Sequence, residues 1–344
     1  MRAATARSAA VAAAAAGLSY AVLRARPPGG SKAWTRTNHR GEPVTLLEGP
    51  AVAIGGLAGA LAGGGASRER AAMVIAVTGA AAFGGYDDLS GNGANRGFRG
   101  HIGALRNGEL TTGAVKIAGI GAAGLAAAIV AGKVDQSSGP PGARRGPAGL
   151  AAADLIINAG LVAGGANLIN LFDLRPGRAI KVAIGAGGLL AAAPGDGAAC
   201  AAPLAAAAAL LPEDLGERSM LGDAGANALG AMLGVAATSL SRRNRLAALT
   251  VIVGLTAASE VVSFTRVIER TGPLRWLDML GRRPVAAPAS SAPAPAASAN
   301  GASAPAAAGS PERPPVGSPA EPAAGTPAGP RVAGTPAGPP AGTR

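Results

Sequence analysis

Residues 73–92 read MVIAVTGAAAFGGYDDLSGN: an uncharged run of Met, Val, Ile, Ala and Gly closes on two adjacent carboxylates, Asp87 and Asp88. Apolar runs approaching 20 residues cross membranes as helices, and charges are costly in hydrocarbon. The pair therefore belongs at the water boundary. There it either caps the helix end or faces a cation.

Working outward from this stretch, a window of about 19 residues finds further apolar runs. Nine spans are predicted, near 8–24, 48–65, 70–86, 110–132, 148–168, 178–194, 196–212, 222–241 and 246–264. The chain is 49% hydrophobic but only 2% aromatic, with 54 Gly among 344 residues. Apolar character carried by Ala, Gly, Val and Leu suits helices packed closely in lipid better than an aromatic-rich soluble core. The expected fold is all-α: a polytopic membrane helix bundle over 1–283, followed by a disordered tail over 284–344. That tail is almost wholly Pro, Ala, Gly, Ser and Thr, which cannot offset the entropy of ordering. The opening MRAATARSAAVAAAAAGLSYAVL reads as a retained first helix rather than a cleaved signal. Cys200, the single cysteine, lies in an apolar run and reads as a small buried hydrophobe.

The formal net charge is +12, and its placement matters more than its size. With the N-terminus outside, the predicted inner loops hold 17 Lys and Arg against 10 outside, the bias expected of cytoplasmic loops. The outer SRRNR at 241–245 is the main exception. This pattern assigns the positive charge to a multi-pass protein of the plasma membrane, not to nucleic-acid binding, and places the tail in the cytoplasm.

On that topology the unusual polar groups gather at the cytoplasmic boundary. Asp87 and Asp88 close the third segment; NLINLFD, with Asn167, Asn170 and Asp173, closes the fifth; MLGDAGANALG, with Asp223, opens the eighth. Asn167, Asn170 and Asp173 recur every three residues, along one helix face. Four carboxylates at one membrane face suit Mg²⁺, which takes oxygen ligands and keeps waters and substrate phosphates in its shell. Lys116, near the start of the fourth segment, is an intramembrane cation close to these acids, placed to neutralise a lipid phosphate or to snorkel. His39 and His101 match no metal spacing and read as solvated loop residues.

The order of these motifs resembles one family, the polyprenyl-phosphate N-acetylhexosamine-1-phosphate transferases, which include phospho-N-acetylmuramoyl-pentapeptide transferase. TLLEGPA from Thr45 is similar to the Gly-rich entry to the family's second helix, and YDD to its aspartate pair. LTTGAVKIAG resembles the helix carrying its lysine, NLINLFD its Asn and Asp motif, MLGDAGANALG its Gly-Asp motif, and EVVSFTRVIERTG its penultimate helix. The resemblance covers most of residues 40–270. It implies transfer of a phospho-sugar from a UDP-sugar to a polyprenyl phosphate at the cytoplasmic face, with Mg²⁺ and release of UMP, in cell-envelope glycan synthesis. By the same resemblance Asp87 and Asp88 orient or deprotonate the lipid phosphate, Asp88 and Asp223 hold the metal, Asp173 supports the reacting diphosphate and Lys116 meets the lipid phosphate. Asn167 and Asn170 belong to the substrate site, and a homodimer is an open expectation.

The chain also departs from that family. After Asp173 it reads LRPGRAIK, with Pro176 where a second acid is usual and with Arg175 and Arg178 as basic candidates for the diphosphate; Ala226 stands for a Ser. After ERTG comes PLRWLDMLGRRP, without the family's histidines. A second class of function therefore stands beside the enzyme: a non-catalytic membrane protein that binds lipid phosphate or envelope-assembly partners. A transporter would need polar residues deep in the helices, and the helix centres are nearly free of them.

Overall fold

Glycine and alanine dictate how the helices of this chain meet. A computed structural model describes residues 2–90, 103, 104, 106–132, 148–193 and 197–284. Arg96, Arg99, His101, Lys133, Arg144, Arg145 and the tail after Pro284 lie outside the described residues.

Helices α1 (Arg2–Ala25) and α2 (Ser31–Trp34) lead into a two-stranded antiparallel hairpin, β1 (Thr35–Thr37) and β2 (Pro43–Thr45), in the register Thr35↔Thr45 and Thr37↔Pro43. There follow α3 (Glu48–Ala62), α4 (Ser67–Ser90), α5 (Thr112–Ala131), α6 (Ala148–Phe172), α7 (Arg178–Ala192), a 3₁₀ turn (Gly197–Cys200) and α8 (Ala201–Leu215). The described chain closes with α9 (Gly222–Ala237), α10 (Arg242–Ser259), α11 (Phe264–Arg270) and α12 (Gly272–Met279). The hairpin, with a single parallel bridge from Thr45 to Ser219, departs from an all-α reading. Its strands are three residues each, too short for an alternating pattern to show.

Helix α9 is the axis of the bundle. All its residues except Asp223 are buried, and it packs on α3, α4 and α6. Small side chains permit this: a Cβ added at Gly165 would lie 2.7 Å from the Gly230 carbonyl oxygen, so α6 and α9 touch backbone to backbone. Such contact is how helices gain dispersion energy where solvent offers little hydrophobic drive. Local signals also mark helix ends. Thr111 accepts a hydrogen bond from the Ala114 N–H at 3.1 Å to start α5, and Gly132, at φ +59°, ends it, the usual roles of an N-cap hydroxyl and a left-handed glycine. Cys200 is buried, as its apolar context implies.

Each of the nine apolar segments forms a helix, but length and composition make only four described helices capable of crossing a membrane: α1, α5, Ala151–Phe172 of α6, and Gly197–Leu215. A fifth span arises if α10 and α11, bent by 95°, count as one. The nine predicted spans are therefore not established. The reasons are physical: α3 and α7 have 15 residues each, or about 22 Å against a hydrocarbon core of about 30 Å. Helix α4 begins with Arg68, Glu69 and Arg70 and ends with two aspartates, while α9 is enclosed by protein.

Candidate functional site

The polar end of α4 meets the start of α9. Gly84 makes the approach possible, because a Cβ there would lie 2.6 Å from the Asp223 carbonyl carbon and 2.9 Å from the Ala224 nitrogen. Asp88 then reaches across: its Oδ1 accepts the Asp223 N–H at 3.0 Å and its Oδ2 the Ala224 N–H at 2.9 Å. These are first-turn amides of α9, which have no partner within their own helix. Helix α9 has no side-chain cap of its own, so a carboxylate from another helix serves, and its charge suits the positive end of the helix dipole. Gly222, at φ +58°, turns the chain into α9 below that carboxylate. Arg36 of β1 donates to the main-chain oxygen of Asp88, and Asn227 donates to the Asp223 carbonyl at 2.7 Å.

Lys116 bridges the remaining acids. Its Nζ lies 2.6 Å from Asp87 Oδ2 and 2.6 Å from Asp223 Oδ2, a cation held between carboxylates of two helices by a residue of a third. Asp173 joins them from the end of α6, close enough to feel the charges of Asp88 and Asp223. Withdrawal from water first, then the negative charges of Asp214, Asp223 and Asp88, push the Asp173 carboxyl well above the usual carboxylate range. The structure thus brings Asp87, Asp88, Lys116, Asp173 and Asp223 together.

The other sequence candidates have different surroundings. Asn167 Nδ2 donates to Thr256 Oγ1 of α10 at 3.3 Å, while Asn170 uses its main-chain carbonyl to accept the Asp173 N–H at 3.1 Å. Arg178 is buried and its guanidinium is committed: Nε and Nη2 donate to Asp278 at 2.7 and 3.1 Å and Nη1 to Thr265 Oγ1 at 3.0 Å. Arg175 is half-buried, near Arg282 and His39. Withdrawal from water, then the charges of Arg175, Arg282 and Arg40, hold the His39 ring below its ordinary pKa despite Glu217.

Several residues of this end escaped sequence reasoning. Glu48, in the first turn of α3, is fully buried; Ser219 donates to its Oε2 at 2.5 Å, and its Oε1 has no hydrogen-bond partner. A lone acid inside TLLEGPA was the available signal. Glu217 accepts from Arg40 at 2.8 Å and Asn38 at 2.9 Å, tying the β-hairpin to the segment before α9. Nothing in the sequence foretold Arg36 at Asp88, because 52 residues separate them.

Mg²⁺ takes oxygen ligands and often only one or two carboxylates, the remainder being water and phosphate. Asp88 and Asp223, at the facing ends of α4 and α9, carry carboxylate oxygens of that kind. Among the described residues no group of three or more His, Cys, Asp or Glu is placed to enclose a metal by itself. No family model matches the chain, and no curated protein matches it.

Proposed function

We propose that the chain is a Mg²⁺-dependent membrane transferase that moves a phospho-sugar from a UDP-sugar to a polyprenyl phosphate at the cytoplasmic face of the plasma membrane, within a bundle of nine spans. The observation that carries the reading is the Lys116 ammonium held at 2.6 Å from both Asp87 and Asp223 at a helix end, where a lipid phosphate can arrive from the bilayer. Phosphoryl transfer needs positioning and charge neutralisation more than covalent help. Lys116 would exchange a carboxylate for the incoming lipid phosphate. Asp87, released by that exchange, would accept the acceptor's proton. Asp173 would orient the donor diphosphate, and the half-buried Arg175 would meet its outer charge. Asp88 and Asp223 would hold Mg²⁺, which when bound neutralises phosphate oxygens.

The test is release of UMP by purified protein with Mg²⁺, polyprenyl phosphate and a panel of UDP-sugars, with mass detection of the lipid product. Asp223→Asn and Asp87→Asn are expected to abolish product while the protein stays folded. A second reading, a non-catalytic binder of lipid phosphate, is favoured by the commitment of these acids to internal partners. It gains if no donor yields UMP while polyprenyl phosphate still raises the melting temperature.

A further inference from the structure

The C-terminal helices α11 and α12 stand apart from the bundle in a way the transferase proposal does not use. Helix α11 turns 95° from α10, with Ser263 as its N-cap. Its inner side is fastened: Phe264 stacks on Phe172 with centroids 5.1 Å apart, and Thr265 accepts from Arg178. Helix α12 is fastened chiefly through Asp278, which receives Arg178 at 2.7 Å and Arg282 at 2.8 Å, while Lys181 donates to the carbonyls of Asp278 at 2.8 Å and Leu277 at 3.1 Å. Both therefore lie at the end of α7, the end of the bundle that holds Asp173.

The opposite side is apolar and exposed. Trp276, 64% exposed, lies about 160° around the helix from Asp278 at 3.6 residues per turn. Leu277 and Leu280 flank it at 51% and 53% exposure. Val261, Val262 and Val267 continue the apolar surface back to the exposed Val251 and Val253 of α10, a helix apolar enough to be part of a span. Arg266, Arg270 and Arg275 are exposed on the same two helices, with Glu269 as the one exposed acid among them. An apolar side bearing Trp and Leu beside arginines, at right angles to a membrane helix, is the composition of an element lying in the headgroup region.

We infer that α11 and α12 form an interfacial anchor whose partner is the anionic lipid surface, with Trp276 in the headgroup layer and Arg266, Arg270 and Arg275 on lipid phosphates. The anchor rests on the membrane reading of α10 and not on the transferase proposal, so loss of either leaves the other standing. Each arginine near an anionic surface is worth about a fivefold preference, and continuity with the face of α10 supplies the apolar half.

Trp276 is its own reporter. The full chain is reconstituted into vesicles carrying brominated lipids, and quenching of Trp276 is taken from the difference between wild type and Trp276→Phe, which leaves the buried Trp34 in place. A Trp34→Phe protein, if it folds, gives the same reading directly. Labels near the headgroup are expected to quench at least about twice as strongly as labels at the bilayer centre. Brominated anionic lipid is expected to quench more than brominated zwitterionic lipid at equal fraction. Arg266→Gln with Arg270→Gln and Arg275→Gln should erase that second difference while leaving the depth unchanged. Strongest quenching from the bilayer centre, which a broken span would produce, overturns the inference. So does equal quenching by the two lipids in wild type, or no quenching by any label.

Discussion

Asp88 closes the amino end of the helix that carries Asp223: its two carboxylate oxygens accept the Asp223 and Ala224 amides at 3.0 and 2.9 Å. The same contact docks α4 onto α9, so one side chain serves as cap and as joint. Capping residues contribute about 1–2 kcal/mol. Asp88→Ala should lower stability in detergent by about that amount, and Asp88→Asn, which keeps one acceptor oxygen, by about half. Equal melting temperatures for wild type and Asp88→Ala would show that the cap carries no stability.

Lys116 bridges Asp87 and Asp223. Its removal leaves two carboxylates close to one another and largely withdrawn from water, a change that costs about 3 kcal/mol where one partner of a buried pair is lost. Lys116→Met should unfold earlier in a thermal series, and Lys116→Met with Asp87→Asn should regain at least half of the loss. Added Mg²⁺ should raise the melting temperature of Lys116→Met more than that of wild type, because a cation can then enter between the acids.

Gly230 faces the main chain of Gly165 and Ala166, so an added methyl has no space. Its nearest atoms are backbone, and only helix separation relieves the clash. Overpacking a tight core costs about 1–3 kcal/mol, and rigid backbone neighbours put Gly230→Ala at the upper end. Gly188→Ala, with nothing within 4 Å of the added Cβ, should be neutral or slightly stabilising, as Ala favours helix. Chemical unfolding of both variants in one detergent separates the two cases.

Asp278 makes attachment of α12 sensitive to acid. Burial works to raise its pKa, but Arg178, then Arg282 and Lys181, outweigh burial and hold the carboxyl below its ordinary 3.8. A folded pKa below the unfolded one means that the attached state binds the proton more weakly. The stabilisation is complete above 3.8 and is lost as pH falls through the lower folded value. Proteolysis after Arg275 should accelerate below that range in wild type. Asp278→Asn should be cleaved fast already at neutral pH, with a flat profile.

The extent of what the sequence reveals differs between fold and site. Hydrophobic runs are local sums, and each of the nine runs forms a helix within a few residues of the expected bounds. Whether a helix spans is not local. Helix α9 reads as apolar because protein surrounds it, and no hydropathy value distinguishes that from lipid. The gathering of Asp87, Asp88, Asp173 and Asp223 at one end was readable because a bundle has only two ends. Their partners were not.

By itself, then, the sequence determined helices, their small-residue faces and the end of the bundle at which the acids collect, since these follow from composition and period along one chain. The tertiary structure alone decided that Asp88 caps α9, that Lys116 lies between Asp87 and Asp223, that Arg178 serves Asp278, and that α11 turns away from α10. Each of these depends on a distance between residues far apart in the chain, set by how closely glycine lets two backbones approach.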